Sequence, residues 1–254
     1  ATVNGNFGST VFPFGNVTAL SAGSTIGNMD LKPEKTTSFE IGTELGFLQN
    51  RLSLDFSYYK NNSKNQILSI PIPNSTGYGF SIINAGEVQN KGVELSLRGT
   101  PVKTDNFTWE VFGTYTKNDN KVVSLLPGVD QVSIGGFTGM SVVAAVGRPY
   151  GEFYAVTTAK DAQGRTIVDE ETGIPLNADK AAYLGNYNPD FQASLGTNLT
   201  YKQVSLSVLF DTKQGGEFFS RTRDIMAFNG TSAETGGDRI GVIYPNSVYL
   251  DADG

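Results

Sequence analysis

The stretch from Leu31 to Lys60, LKPEKTTSFEIGTELGFLQNRLSLDFSYYK, constrains the fold more than any other part of the chain. Phe39, Ile41, Thr43, Leu45 and Phe47 fall on one face, and Ser38, Glu40, Gly42, Glu44 and Gly46 on the other. A period of two is the signature of a strand. After Leu48, Gln49 and Asn50 the alternation resumes, with Leu52, Leu54, Phe56 and Tyr58 against Arg51, Ser53, Asp55, Ser57 and Tyr59. Two such runs around a very short turn predict a hairpin. Aromatic rings mark the ends of its apolar face: Phe39 opens the first strand, Phe47 closes it, and Tyr58 is expected level with Phe39. Their spacing of about nine residues is what a tilted strand needs to cross the hydrocarbon of a bilayer. Rings bracketing an aliphatic band are expected where a barrel wall meets both lipid–water interfaces.

The rest of the chain repeats the pattern. Val93, Leu95 and Leu97 alternate with Glu94, Ser96 and Arg98 in a strand near Val88 to Gly99, and a turn is expected at Pro101 to Asn106. Phe107, Trp109, Val111 and Tyr115 line the next apolar face, the first two as a lower ring and Tyr115 as an upper one. Phe191 to Tyr201 and Val204 to Phe210 form a last hairpin around Lys202 and Gln203. Between these lie a segment from Asn61 to Asn84 with Pro71, Pro73 and Gly77, expected as a long loop, and residues 118–188. In the latter, Met140–Val146 and Phe153–Val156 are expected to pair as strands, with a long loop before them and a polar loop from Lys160 to Asn188 after them. Residues 1–30 are rich in Gly, Ser, Asn and Thr, and read as an extracellular loop or the tail of a strand around Thr10 to Phe14. Residues 31–254 read as part of one barrel domain. Turns at 48–50, 100–106 and 202–203 are short, whereas connections at 61–87, 118–139 and beyond Asp211 are long. Short periplasmic turns against long extracellular loops would put Phe47, Trp109 and Tyr201 on the periplasmic side.

Composition excludes several other classes. No apolar run approaches the roughly 18 residues of a transmembrane helix, so any membrane crossing must be made by strands. The chain has no cysteine and no histidine, which removes thiol chemistry, the usual general base and the commonest metal ligand. A net charge of −6 argues against nucleic acid. Ala1 to Thr10 has neither the basic region nor the apolar core of a secretory signal, and the chain stops at Asp253-Gly254 without an aromatic-ended closing strand; both ends are expected to be cuts within a longer protein.

LKPEKTTSFEIGTELGF followed by NRLSLDFSYYK resembles the late-barrel signature of TonB-dependent outer-membrane receptors, specifically the SusC/RagA branch of Bacteroidetes-type bacteria. AGEVQNKGVELSL at 85–97, FTWEVFGTYTKNDNKV at 107–122, VGRPYGEFYAV at 146–156 and YLGNYNPDF at 183–191 continue the likeness in family order. Met29 departs from it where the family usually carries proline. The resemblance implies about eight antiparallel up-and-down strands of a larger transmembrane β-barrel of about 22. It also implies import of a large nutrient, glycan or peptide, in the outer membrane of a Gram-negative bacterium. The implied partners are the rest of the barrel and its plug, outer-membrane lipid, a SusD-like lipoprotein lid, and a TonB-type energy transducer that engages regions outside these residues; transporter–lid pairs of this kind can dimerise. No cofactor is implied. The competing class is a secreted or surface β-rich adhesin without transport activity.

Candidate chemistry is sparse. Glu40, Glu44, Asp55, Glu94 and Glu110 share the polar face and could supply a carboxylate pair for glycoside hydrolysis, but a hydrated lumen facing a plug accounts for them more simply. No enzymatic activity is expected. Asp251-Ala252-Asp253-Gly254 starts like a calcium loop without later ligands. Ligand contacts are expected instead from loop aromatics, Tyr78, Phe80, Phe137 and Tyr154, which could stack on a sugar or pack on a peptide. The expected aromatic girdle comprises Phe39, Phe47, Tyr58, Phe107, Trp109, Tyr115, Phe191, Tyr201 and Phe210.

Overall fold

The computed structural model describes residues 8–10, 19–21, 23–237 and 244–249. The short strands β1 (Gly8–Thr10), β2 (Ala19–Ser21) and β3 (Thr25–Ile26) come first. They lead into β4 (Lys35–Phe47) and β5 (Leu52–Lys64), then β6 (Ile67–Pro71) and β7 (Phe80–Asn84). β8 (Glu87–Lys103) and β9 (Phe107–Ser124) are the longest strands. Then come β10 (Gln131–Phe137), β11 (Met140–Ala145), β12 (Glu152–Ala155), β13 (Thr166–Ile167) and β14 (Ala182–Asn186). β15 (Phe191–Tyr201) and β16 (Val204–Gln214) form the last long hairpin, followed by helix α1 (Arg221–Phe228) and β17 (Ser247–Val248).

Six strands make one antiparallel sheet in the order β16-β15-β9-β8-β5-β4. Its register explains why the alternation in sequence matters. Leu45 lies opposite Leu54, then come Leu97, Gly113, Leu195 and Phe210, so one rung is apolar across all six strands. The next rung, one residue along, reads Glu44, Asp55, Ser96, Thr114, Ser194 and Asp211. Because successive side chains point to opposite faces, the sheet has one apolar and one polar surface from edge to edge. Among the described residues neither is covered by another layer: Leu195 is 59% and Phe210 71% exposed.

The buried core lies elsewhere. Val88, Val122, Val132 and Ala144 are buried together, with Leu68, Ile70, Leu125, Val129, Ile134 and Tyr150 packed around them. Here the upper ends of β8 and β9 meet the β6–β7 hairpin and a four-stranded sheet, β10-β11-β12-β14. That rim sheet is fastened to β9 by backbone bonds from Val122 N to Arg148 O (2.9 Å) and from Gly147 N to Val122 O (2.8 Å).

All eight expected strands are present, and the fold is the expected antiparallel meander. Six form the wall, while the segments at Met140–Val146 and Phe153–Val156 pair with each other in the rim sheet. Several boundaries differ from expectation. The 61–84 segment is not a long loop: β5 continues to Lys64, and Ile67–Pro71 pairs with Phe80–Asn84. β8 runs through Pro101 to Lys103, because a bulge between Gly99 and Val102 accommodates the proline, which lacks an N–H. Arg51 holds the bulge by donating to the carbonyls of Thr100 (3.2 Å) and Pro101 (2.8 Å). The 118–139 connection carries the end of β9 and all of β10, and the 160–188 stretch carries β13 and β14. Tyr58 is level with Ile41, not Phe39, which faces Lys60; the turn sets Phe47 opposite Leu52 and every later pair follows. Within 1–30, β1 pairs with β2, and β3 pairs in parallel with β7. Residues 11–14 and 251–254 lie outside the described residues.

Two glycines on the polar face serve as seats for aromatic rings. Tyr59 lies directly opposite Gly92, and Phe112 opposite Gly196. A Cβ at either glycine would run into the neighbouring ring. Each ring can therefore lie flat across the adjacent strand. Gly92→Ala and Gly196→Ala should each cost about 1–3 kcal/mol through overpacking. At Gly99 an added Cβ would meet only Leu52 Cδ1, at 3.8 Å, and Gly99→Ala should change stability by less than about 0.5 kcal/mol. Urea titration of the refolded full-length protein would compare the three; equal losses would disprove the seating.

Candidate functional site

On the polar face, the acids expected there are all in place. Glu44 lies opposite Asp55, and with Glu94, Ser57, Ser96 and Thr114 they line an open cavity of about 470 Å³. Glu40 accepts a hydrogen bond from Ser57 Oγ at 2.6 Å. Glu110 instead belongs to a chain across four strands. Arg98 Nη1 donates to it at 2.7 Å, Asn198 Nδ2 donates to its other oxygen at 2.9 Å, and Ser207 Oγ donates to Asn198 Oδ1 at 2.7 Å.

Farther toward the rim the same face is lined by amides. Glu40, Tyr59, Asn61, Asn90, Glu94 and Asn118 surround a second cavity of about 480 Å³. Tyr59 Oη donates to Asn118 Oδ1 (3.0 Å), and Asn118 Nδ2 donates to Asn90 Oδ1 (3.1 Å). Asn120 Nδ2 donates to that same oxygen (2.7 Å), while Asn120 Oδ1 accepts from the backbone N of Tyr150 (2.8 Å). Asn188 Nδ2 donates to the Tyr150 carbonyl at 2.9 Å. The network links the wall to the rim sheet. It went unread in the sequence because amides carry no periodic signal of their own; the only clue is that Asn90 and Asn118 continue the polar positions of their strands.

The apolar face carries the expected girdle residues. Phe107, Trp109, Val111, Leu195, Leu199 and Phe210 line a groove of about 510 Å³. Trp109 keeps its one polar atom satisfied, with Nε1 donating to Thr197 Oγ1 at 2.9 Å. Toward the rim, the Tyr115 and Phe191 ring centroids lie 5.4 Å apart. Phe47, Phe107 and Tyr201 lie by the short turns, Phe39 and Tyr58 lie toward the other end, and Phe210 sits in the middle rung beside Leu195.

The four loop aromatics do not converge. Tyr78 is half-buried in the turn between β6 and β7, and Phe80 starts β7, 45% exposed. Phe137 stacks on Phe219 at 6.0 Å beneath the guanidinium of Arg221. Tyr154 packs against Tyr183 at 5.0 Å. Tyr154 shares a rung with Ser141 and Gly136, one step from Phe137, so the two rings leave opposite faces of the rim sheet. Tyr183, Phe219 and Arg221 were missed because isolated aromatics and arginines in short elements and the segments between them show no periodic pattern.

Arg148 is the main electrostatic tie of the rim. It forms a two-pronged ion pair with Glu152, the one buried charged residue among those described, and its guanidinium lies 3.7 Å from the centre of the Tyr183 ring. The hydrogen bond to Glu152 pushes the guanidinium further above its ordinary range, against the opposing effect of desolvation. Tyr183 Oη in turn donates to Gln131 at 2.7 Å.

A one-layer antiparallel meander with one lipid-like and one water-like face is the wall of a β-barrel. Residues 2–252 match the family model described as TonB dependent receptor-like, beta-barrel, and the chain belongs to that family of Gram-negative outer-membrane proteins. It is 24% identical over 247 residues to TonB-dependent receptor P3 of Formosa agariphila (88% of this chain, 24% of the relative). It is 28% identical over 211 residues to TonB-dependent receptor SusC of Bacteroides thetaiotaomicron (77% of this chain, 21% of the relative). The solved RagAB peptide transporter superposes with a TM-score of 0.63 at 24% identity, over 82% of this chain and 24% of that one, which shows the shared fold. The SusC/RagA resemblance read from the motifs is borne out. The chain spans about a quarter of the length of the curated relatives it matches.

Removing the guanidinium by Arg148→Ala leaves the Glu152 carboxylate buried without its partner, at a cost of about 1–3 kcal/mol. Because the loss is local, it should appear as faster proteolysis within residues 146–188 and faster amide exchange at β12, with the wall strands unchanged. Arg148→Lys should recover part of the protection.

Proposed function

We propose that this chain is part of the wall of an outer-membrane active transporter that imports a large nutrient, an oligosaccharide or a peptide. The observation that carries this function is the pair of adjacent rungs, Leu45 to Phe210 wholly apolar and Glu44 to Asp211 wholly polar, across six strands. Such a sheet is at home between lipid and a hydrated lumen. Residues 31–254 belong to one barrel domain, and the segment before Leu31 lies on its extracellular side. Phe47, Phe107, Trp109 and Tyr201 form one interfacial belt near the periplasm; Phe39, Tyr58, Tyr115 and Phe191 form the other, while Phe210 contacts lipid nearer the midplane. The rim sheet, the β6–β7 hairpin and α1 stand outside the cell, where Tyr78, Phe80, Phe137 and Tyr154 serve the substrate or a SusD-like lid.

Edge strands β4 and β16 pair with further strands of the same barrel, since unpaired backbone in hydrocarbon costs several kcal/mol per group. A plug fills the lumen against the carboxylates of the polar face, and a TonB-type transducer supplies energy through regions outside these residues. Transporter–lid pairs assemble as dimers. The likeness to SusC supports the transport class, and the fold shared with the RagAB peptide transporter agrees with it.

The face assignment yields a direct test. Leu54→Arg puts a charge against the bilayer midplane and should cost about 2–4 kcal/mol. Asp55→Arg, one residue along, should be tolerated far better. Urea titration of the full-length barrel refolded into lipid vesicles reads both. Equal losses, or a full-length protein that stays monodisperse in buffer without detergent, would favour a surface adhesin instead.

A further inference from the structure

Resting on the assignment of the polar face to the lumen, we propose that the amide-lined strip around Asn90 is a binding subsite for an uncharged, hydroxyl-rich ligand, a neutral saccharide. The hydrogen-bond network orients the amides before any ligand arrives. Asn90 Oδ1 is taken by two donors, the Nδ2 groups of Asn118 and Asn120. Its own Nδ2, on the same planar amide, makes no hydrogen bond among the described residues, and Asn90 is one of the residues that line the cavity. Asn118 is held in turn by Tyr59 Oη. Oriented N–H donors thus stand beside the carboxylates of Glu40 and Glu94, which only accept.

A sugar hydroxyl both donates and accepts, and neighbouring hydroxyls on a ring can use an amide donor and a carboxylate acceptor together. Tyr59, laid flat over Gly92, adds an aromatic surface at the edge of the same cavity. Other ligand classes fit less well. An anion would face Glu40 and Glu94 with no cation lining the cavity. A cation would suit the carboxylates but would meet the Asn90 donors head-on. Apolar peptide side chains would need an apolar pocket, and no aliphatic residue lines this one. Asn118 also borders a smaller cavity of about 280 Å³ under the rim sheet, with Asn120, Asn186, Asn188 and Asp190. The polar strip therefore runs on toward the rim, as a track for an extended chain of sugar units.

The test is an array of immobilised neutral oligosaccharides, sulfated and uronate-bearing oligosaccharides and lysine-rich peptides, probed with the full-length receptor in detergent. Retention is expected on neutral saccharides. It should fall at least tenfold in Asn90→Leu and in Asn90→Asp, which keeps the shape but replaces donors with acceptors. Gln89→Leu, one residue along on the opposite face, should bind as the wild type does. Folding of each variant is read from its heat-modifiable migration in SDS gels. Retention confined to charged glycans or peptides, no retention on any neutral saccharide, or Asn90 variants that bind like the wild type would each overturn the proposal. A dye on Ser194→Cys, on the polar face but outside the subsite, in a full-length receptor whose other cysteines are replaced, separates the two levels of inference. Quenching by spin-labelled lipid would sink the lumen assignment itself, whereas an unquenched dye without saccharide binding sinks the subsite alone.

Discussion

The structure depends on the backbone ladder that holds six strands in a common register. Side chains alternate along every strand, but the alternation becomes a surface only if each strand enters the sheet in phase with its neighbours. At the β4–β5 turn, Leu48, Gln49 and Asn50 all adopt left-handed backbone with φ between 54° and 63°, and the pairing of Phe47 with Leu52 follows. A slip of β4 by one residue against β5 would turn Glu44 outward and bring Leu45 in. No local repacking could repair such an error, because the sheet has no second layer to absorb it.

Legibility in the sequence followed the solvent on each side of the sheet. Where one face is apolar and the other wet, as from Phe39 to Phe47 or Phe191 to Tyr201, alternation reports the strand directly. Beyond that band neither face is apolar from one residue pair to the next, and the signal vanishes although the ladder continues. Asn61 to Lys64 and Lys117 to Ser124 are paired strand without any hydrophobic period. Pro101 misled for a different reason, since the bulge that accepts it leaves no compositional trace. Site chemistry divided similarly. The acids of the polar face could be placed from strand phase alone, whereas the Asn90 network required knowing which strands are neighbours, and the scattered positions of Tyr78, Phe80, Phe137 and Tyr154 required the course of the loops.

Two kinds of stability coexist in the chain. The rim is held as a water-soluble domain is held, by a small buried cluster around Val122 and by the Arg148–Glu152 pair. The wall has no interior of its own and relies on its ladder, on rings seated over Gly92 and Gly196, and on whatever medium meets its apolar face. Substitutions at the rim should therefore behave like core mutations, while those on the wall report the medium.

The fastening of the rim sheet to β9 also bears on the order of assembly. The hairpins β4–β5, β8–β9 and β15–β16 close over short turns, but β15 must find β9 across the intervening residues 125–190. The entropy of closing a connection grows with its length, and non-local pairing is slow for the same reason. By bonding Val122 to Gly147 and Arg148, the rim sheet folds much of that connection into a compact knot whose two ends emerge near each other. An early-folding knot at the rim would act as a guide for the last hairpin, so that a part of the chain outside the wall decides how quickly the wall extends.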